Sequence, residues 1–302
     1  MEASFAASTS RLKLIALITV MVLVWSGNFV IAKVALREFP VLTLSGLRVA
    51  LSAAILWPVF LLAAPPEEIS RLRRDWKKLL VLSLFGVTFN QLFFIAGLKN
   101  TSVGHSSLII SLSPVFVLLV ARMHGLEQLT LLKVLGLAVS LAGVALLVTE
   151  RGIGSNAGPG PTLMGDLYAM LGAVAFAYFT VLGKEITPRY GTITFNTVTH
   201  TLGALVLMPP AMVQLWQGSA AGVSAKAWLS LLYMAGGASV LAYVIFYYAL
   251  RRLAATRLVA LSYLQPVLAT LLSAAFLRER ITATLLAGAA VIFVGVYMAE
   301  RG

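Results

Sequence analysis

The sequence carries little charge for its length. Of its 302 residues only 11% are charged, while 60% are hydrophobic and the mean hydropathy is +0.93. A soluble domain has about 25% charged and roughly 45–50% apolar residues, so this chain lacks the polar side chains that would cover a water-facing surface. The composition excludes a cytosolic enzyme, a disordered protein and a disulfide scaffold, and it predicts a protein embedded in a lipid bilayer.

Cysteine is absent, and histidine occurs only three times. Without cysteine there is no thiolate metal site, disulfide or cysteine nucleophile. The chain also has no His-x-x-x-His pair, no paired carboxylates inside a hydrophobic run and no Gly-x-Ser-x-Gly turn, which are patterns typical of metalloenzymes and hydrolases. We therefore predict no catalytic residue, no metal site and no cofactor, and we expect that the protein is not an enzyme.

Acidic residues are few beside the basic ones, 11 against 23, so the net charge is +12 and the isoelectric point about 10.2. In a soluble protein this excess would suggest nucleic acid as a partner. Membrane proteins, however, retain Lys and Arg in their cytoplasmic loops, so we expect no nucleic-acid partner. A cytoplasmic N-terminus places most of these residues on the inner side, which predicts a cell (inner) membrane protein with both termini cytoplasmic.

What the chain does contain is ten apolar stretches close to the length of a membrane-spanning helix, which needs about 20 residues. These stretches, the predicted helices 1 to 10, are residues 14–35, 42–64, 79–98, 102–122, 132–149, 163–183, 195–216, 228–250, 257–277 and 281–299. The predicted fold class is an all-α polytopic membrane protein with ten transmembrane helices. A segment rich in Gly and Pro, residues 152–161, divides the chain near its middle and is predicted to be a linker.

The two halves of the chain are related by an internal repeat. A shift of 152 residues superposes an ordered series of identical residues, namely Leu98, Pro114, Glu127, Thr130, Gly136 and Gly143 on Leu250, Pro266, Glu279, Thr282, Gly288 and Gly295. We predict a duplicated five-helix unit, with residues 1–151 and 162–302 as the two repeats. Because five is odd, the repeats are inverted in the membrane, an arrangement typical of secondary transporters with a substrate site near the midplane.

Several motifs in this series carry a family resemblance. The first half has Trp25-Ser-Gly-Asn28, Lys33, Pro40, Arg48, Ala96-Gly-Leu98, Ser113-Pro114, Glu127-x-x-Thr130 and Gly136, and the second has Tyr248-Ala-Leu250, Gln265-Pro266, Glu279-x-x-Thr282, Gly288 and Gly295. In this the sequence resembles the ten-helix EamA family of the drug/metabolite transporter superfamily. The resemblance implies a central cavity lined by helices 1, 3, 4, 6, 8 and 9, with helices 5 and 10 as peripheral packing or dimer-facing elements.

Polar and aromatic side chains inside the predicted spans are the candidates for substrate binding, because polar groups in hydrocarbon cost free energy unless they are paired or hydrated. The substrate-binding candidates are Trp25, Asn28, Asn90, Gln91, Phe94, Ser111, Phe176, Tyr178, Tyr243, Tyr247 and Gln265. Pro114 and Pro266 interrupt helices at repeat-equivalent positions and are gating candidates. The competing interpretations are hydrogen bonding between packed helices and static proline kinks.

These observations predict an inner-membrane secondary transporter that moves a small amphipathic metabolite by alternating access. An amino acid or a related compound is the expected substrate and export the expected direction, in a monomer or homodimer. A flippase for a lipid-linked intermediate and a proton-coupled drug/metabolite antiporter remain alternatives. No Asp or Glu lies in the middle of a predicted span, which argues against the antiporter, although His105, His200 or Arg48 could still take part in coupling.

Overall fold

The computed structural model describes residues 2–150, 160–219, 222–253 and 264–301, and within these ranges every regular element is helical. Helices satisfy all their backbone hydrogen bonds internally, which hydrocarbon demands. Eight of the described helices are long and apolar enough to cross a bilayer, and two further apolar helices are shorter. The all-helical membrane architecture is confirmed.

Five helical elements form the first half, and we label them α1 to α5. They are α1 (Glu2–Ala35), α2 (Val41–Ala63), α3 (the continuous run Pro66–Ser83, Leu84–Phe89 and Asn90–Asn100), α4 (Val103–Ile110 followed by Ser113–Met123) and α5 (Leu131–Val148). The middle segment of α3 is π-helical and ends directly before Asn90. Such wide turns are common at functional sites because they change the direction in which the next side chains point.

The described helical elements of the second half are labelled α6 to α10. They are α6 (Leu163–Ile186), α7 (Thr192–Gln214, extended by Leu215–Ser219), α8 (Ala225–Leu232, Tyr233–Leu241 and Ala242–Leu250), α9 (Leu264–Leu277) and α10 (Ala283–Arg301). The middle segment of α8 is also π-helical and ends at Leu241, two residues before Tyr243. The first part of the predicted ninth span and most of the predicted linker lie outside the described residues.

Helix α4 is interrupted just before Pro114, one of the two prolines that the sequence predicts to interrupt helices. Pro114 has no backbone N–H and displaces the carbonyl four residues earlier, that of Ile110. Residues Ser111 and Leu112 form a turn, and the Ser113 hydroxyl donates a 2.5 Å hydrogen bond to the Ile110 carbonyl. The kink is therefore compensated locally, because the carbonyl that the proline frees receives a side-chain donor.

The helices α5 and α10 pack along a row of glycines. A Cβ atom added to Gly143 would lie 3.0 Å from the carbonyl oxygen of Gly288, and one added to Gly136 would lie 2.5 Å from that of Gly295. Each glycine thus faces the repeat equivalent of the other, and only glycine permits so close a backbone approach. The other face of α5 exposes Leu131, as expected for a surface that contacts lipid.

Candidate functional site

A cavity lies inside the bundle where six of the helices meet α2. Its lining residues within the described chain are Trp25, Asn28, Phe29, Arg48, Asn90, Gln91, Phe94, Ile110, Ser111, Ser113, Pro114, Ala173, Phe176, Tyr243 and Gln265. They belong to α1, α2, α3, α4, α6, α8 and α9. Its volume is about 90 Å³, and because about 10–15 Å³ suffices for one water molecule, it can hold several waters or a small solute.

One part of the cavity wall is a hydrogen-bonded group of two amides and a phenol. The Tyr243 hydroxyl lies 3.1 Å from Asn90 Oδ1, to which it can donate, and it accepts a 3.3 Å bond from Gln91 Nε2. Asn90 Nδ2 in turn donates to the carbonyl of Gly172 at 3.1 Å. Packing of His200 against the Tyr243 ring, with centroids 5.7 Å apart, supports this group from outside the cavity. Helices α3, α6 and α8 are thereby joined by polar contacts at the site.

A second part of the wall is aromatic. The Trp25 ring meets Tyr243 edge-on at 5.6 Å and Phe176 at 6.3 Å, and its Nε1 donates to the Ala238 carbonyl at 3.0 Å. Two further lining rings, Phe94 and Phe29, make an edge contact with centroids 5.2 Å apart. Edge-to-face arrangements hold aromatic rings in fixed positions, so the cavity offers rigid apolar walls beside its polar groups.

The charged residue of the lining is Arg48, on α2. Its side chain is 2% exposed, its Nε donates to Ser239 Oγ at 2.9 Å, and its Cζ lies 5.8 Å from the centroid of the Phe94 ring. Its Nη1 is buried and has no hydrogen-bond partner in the part of the chain that the structure describes. The same holds for Asn28 Oδ1 and Gln265 Nε2. Three cavity residues therefore keep unused hydrogen-bonding capacity.

The structure brings most of the sequence candidates together. The candidates that line the cavity are Trp25, Asn28, Asn90, Gln91, Phe94, Ser111, Phe176, Tyr243 and Gln265, together with Pro114. Tyr178 lies outside it, stacked on Phe85 with centroids 5.0 Å apart. Tyr247 is also outside, fully buried against Phe195 at 4.9 Å. Pro266 is buried near the start of α9 and is not in the lining.

Five lining residues were not among the sequence candidates, namely Phe29, Arg48, Ile110, Ser113 and Ala173. Four of them are apolar or small and gave no signal in a sequence that is mostly apolar. Arg48 did give one, because an ionisable side chain within a membrane span is a functional candidate by default. The cavity helices implied by the resemblance do not include α2, so the sequence makes Arg48 a candidate for coupling and not for substrate binding.

A separate buried ionic group lies near the ends of α4, α5 and α6. His105 Nε2 is 3.2 Å from the Glu150 carboxylate, and its Nδ1 is 3.4 Å from that of Asp166. Thr101 donates to Asp166 at 2.7 Å, and Thr282 donates to Glu150 at 2.5 Å. We call His105, Glu150 and Asp166 the His105 cluster. It contributes no lining residue to the cavity.

Comparison with known proteins decides the family. The model of the EamA-like transporter family matches the chain twice, over residues 12–149 and 163–300. The chain belongs to the EamA-like transporter family. The resemblance seen in the sequence motifs is confirmed, and the protein is a membrane transporter rather than an enzyme.

Relatives match over nearly the whole length. An uncharacterized transporter of Archaeoglobus fulgidus is 29% identical over 93% of this chain and 95% of its own. The transporter YvbV of Bacillus subtilis is 26% identical over 93% and 89%, and the inner membrane transporter YedA of Escherichia coli is 24% identical over 83% and 78%. A solved crystal structure, 22% identical, superposes with a TM-score of 0.66 over 96% of both chains, which supports the fold.

Proposed function

We propose that this EamA-family transporter moves a small amphipathic metabolite, such as an amino acid, out of the cell by alternating access through the central cavity. The observation that carries the proposal is the lining itself, which combines rigid aromatic walls with amide, phenol and guanidinium groups. Binding sites for small molecules typically pair apolar walls with a few convergent polar groups. Within the lining described above no carboxylate is present, so facilitated movement or exchange is the favoured mode.

Alternating access requires two halves that rock against each other, and we propose ten spans in two inverted five-helix repeats. One duplicated contact supports this arrangement. Lys33 Nζ donates to the carbonyls of Leu98 and Thr101 at 2.6 and 2.5 Å. Lys184 donates to those of Leu250 and Leu253, which are the repeat equivalents. In each half, the end of the first helix is thus bound to the end of the third.

In this mechanism the prolines act as hinges. The kink at Pro114 borders the cavity, and the serine hydroxyl that satisfies Ile110 gives the turn an alternative to regular helical bonding. We propose that α4 bends there when the cavity changes sides, and that Pro266 plays the corresponding part in α9. We further propose that both termini are cytoplasmic and that the protein works as a monomer or a homodimer.

The function is tested by flux into proteoliposomes. Purified protein is reconstituted and the uptake of each of the twenty protein L-amino acids is measured, followed by uptake in the Asn90→Ala and Tyr243→Ala variants. We expect at least one substrate for the wild type and a loss of about tenfold or more in each variant, because both side chains belong to the hydrogen-bonded wall. The control is Tyr297→Ala, which removes an exposed tyrosine of α10.

If both cavity variants fold and transport like the wild type, the proposed site is wrong. The driving force needs a separate measurement of the same flux with and without a pH gradient across the vesicle membrane. Uptake that strictly requires the gradient would favour the proton-coupled antiporter over facilitated movement.

A further inference from the structure

Arg48 is a buried cation for which the described residues supply no counterion. The guanidinium has five N–H donors and cannot accept, yet among the described residues it contacts one serine hydroxyl, that of Ser239, and the face of the Phe94 ring. Nη1 has no partner within the described ranges. A side-chain amide such as Asn28 can present a donor or an acceptor by rotating, but Arg48 can only donate and carries a fixed positive charge.

Eight of the 11 acids have described side-chain contacts, and none of these contacts is with Arg48. Those with described side-chain contacts are Glu38 with Ser224, Glu67 with Arg71, Glu68 with Gly191, Asp75 with Tyr190, Glu127 with Lys133, Glu150 and Asp166 with His105, and Glu279 with Val103. The other three of the 11 acids are Glu2, Glu185 and Glu300. By position in the chain they belong to the start of α1 and the ends of α6 and α10, whereas Arg48 lies within α2.

An uncompensated charge in a low-dielectric interior is strongly unfavourable, and ionisable residues inside membrane spans typically mark substrate or ion pathways. No described residue of the cavity lining is an anion that could pair permanently with Arg48. Its location on the cavity wall instead leaves the positive charge available to whatever the cavity binds.

We propose, on the basis of the transport function proposed above, that Arg48 binds the carboxylate of a small monocarboxylate substrate. The planar guanidinium matches a carboxylate with two parallel hydrogen bonds. The described lining carries a single formal charge, so a monoanionic group neutralises it, whereas a phosphate monoester would bring an excess of negative charge. The aromatic wall around Trp25 and Phe176 suits the apolar part of the same solute, and Asn28 Oδ1 is free to accept from an ammonium group.

The class of ligand is tested by binding to the purified protein in detergent, without transport. Thermal stabilisation is measured with a panel of L-amino acids, their α-keto acids and aliphatic monocarboxylates, each beside its carboxamide, and with inorganic phosphate and phenyl phosphate. The amide keeps the size, and for the amino acids the ammonium group, and removes only the anion. We expect stabilisation by at least one acid of the panel, about tenfold weaker binding of its amide, and no stabilisation by the two phosphates.

Two substitutions assign this preference to Arg48. In Arg48→Gln the acid and its amide should bind equally weakly, and in Arg48→Lys the acid should remain preferred with about tenfold lower affinity, because a point charge replaces the planar fork. Arg37→Gln, which changes an exposed arginine between α1 and α2, should bind like the wild type. If Arg48→Gln does not fold, the affinity of Arg48→Lys for the acid and its amide tests the proposal by itself.

The proposal is overturned if no acid of the panel binds, if amides or phosphates bind as well as acids, or if either Arg48 variant keeps the affinity and preference of the wild type. Its failure is distinguishable from failure of the transport function, because binding and flux are measured separately. Acids that bind through Arg48 without any flux would leave the carboxylate site intact and refute only the transporter mechanism.

Discussion

Two regions of the molecule bury charge, and they do so in opposite ways. In the His105 cluster both ring nitrogens face carboxylates, and each carboxylate also accepts from a threonine hydroxyl. At the cavity, Arg48 has one serine partner and keeps donors unused within the described chain. The first region is satisfied by the protein itself, so we interpret it as structural. The second is left incomplete, as a site that must admit and release a ligand has to be.

The two regions also show how a chain with few charged residues uses those that lie inside the bundle. With so few charged residues, each one inside the bundle has a specific environment that can be read from the structure. The His105 cluster joins segments of both halves at one end of the bundle through Thr101 and Thr282, and this fits a fixed contact. Arg48, by contrast, lies where helices of both halves surround a cavity, and this fits a residue that binds substrate.

The largest expected effect on stability is at the His105 cluster. His105→Ala leaves two buried carboxylates without their shared partner, and breaking a buried ion pair in this way costs about 3–5 kcal/mol. We expect a clear fall in the thermal unfolding midpoint in detergent, with the preference for the bound solute unchanged. His124→Ala, which removes an exposed histidine directly after the end of the same helix, is the control. An unaltered midpoint in His105→Ala would contradict the interpretation that the His105 cluster stabilises the fold.

An intermediate effect is expected where the two halves repeat one contact. Lys33→Met and Lys184→Met each remove a charged donor that bonds two helix-end carbonyls. Hydrogen bonds from charged groups contribute about 1.5–3 kcal/mol, so both midpoints should fall, and further in Lys33→Met because Lys33 is the more buried of the two. Lys13→Met, at an exposed position of α1, should change little. A loss confined to one half would show that the duplicated contact does not have a duplicated role.

The smallest effect is expected outside the membrane. The Glu38 carboxylate accepts from the backbone N–H and the hydroxyl of Ser224, at 2.6 and 2.7 Å, and these bonds lower the pKa of Glu38 from its usual value. A lowered folded-state pKa stabilises the protein above the unfolded pKa of about 4.3, and this is lost as the pH falls through the folded value. Glu38→Gln should thus lower the midpoint slightly at pH 7 and not at all near pH 3. A difference that persists at pH 3 would contradict this explanation.

Much of the cavity could be predicted because its residues are polar or aromatic within apolar spans. The repeat helped as well, since the 152-residue shift superposes Tyr243 on Gln91 and the structure places these two side chains in contact. The inverted arrangement proposed above accounts for this contact, because equivalent helices of inverted repeats meet at the pseudo-symmetry axis between them.

What the sequence could not supply is the rotation of each helix and the pairing of distant segments. Phe176 and Tyr178 are two residues apart, hence on different faces of α6, and only Phe176 reaches the cavity. Tyr247 shares the face of Tyr243 but lies a turn further along, where Phe195 covers it. The His105 cluster unites residues separated along the chain by up to 61 positions, and no local pattern encodes such a contact.

The most direct test of the account sets the two regions side by side. The initial rate of uptake per folded transporter is measured in proteoliposomes for Arg48→Met and His105→Ala, with an amino acid that the wild type transports. We expect the rate of Arg48→Met to fall by about tenfold or more while its unfolding midpoint holds or rises, and we expect His105→Ala to keep its rate and lose stability. Wild-type uptake by Arg48→Met would contradict a role of Arg48 in substrate binding. A lost rate in fully folded His105→Ala would contradict a purely structural role of the His105 cluster.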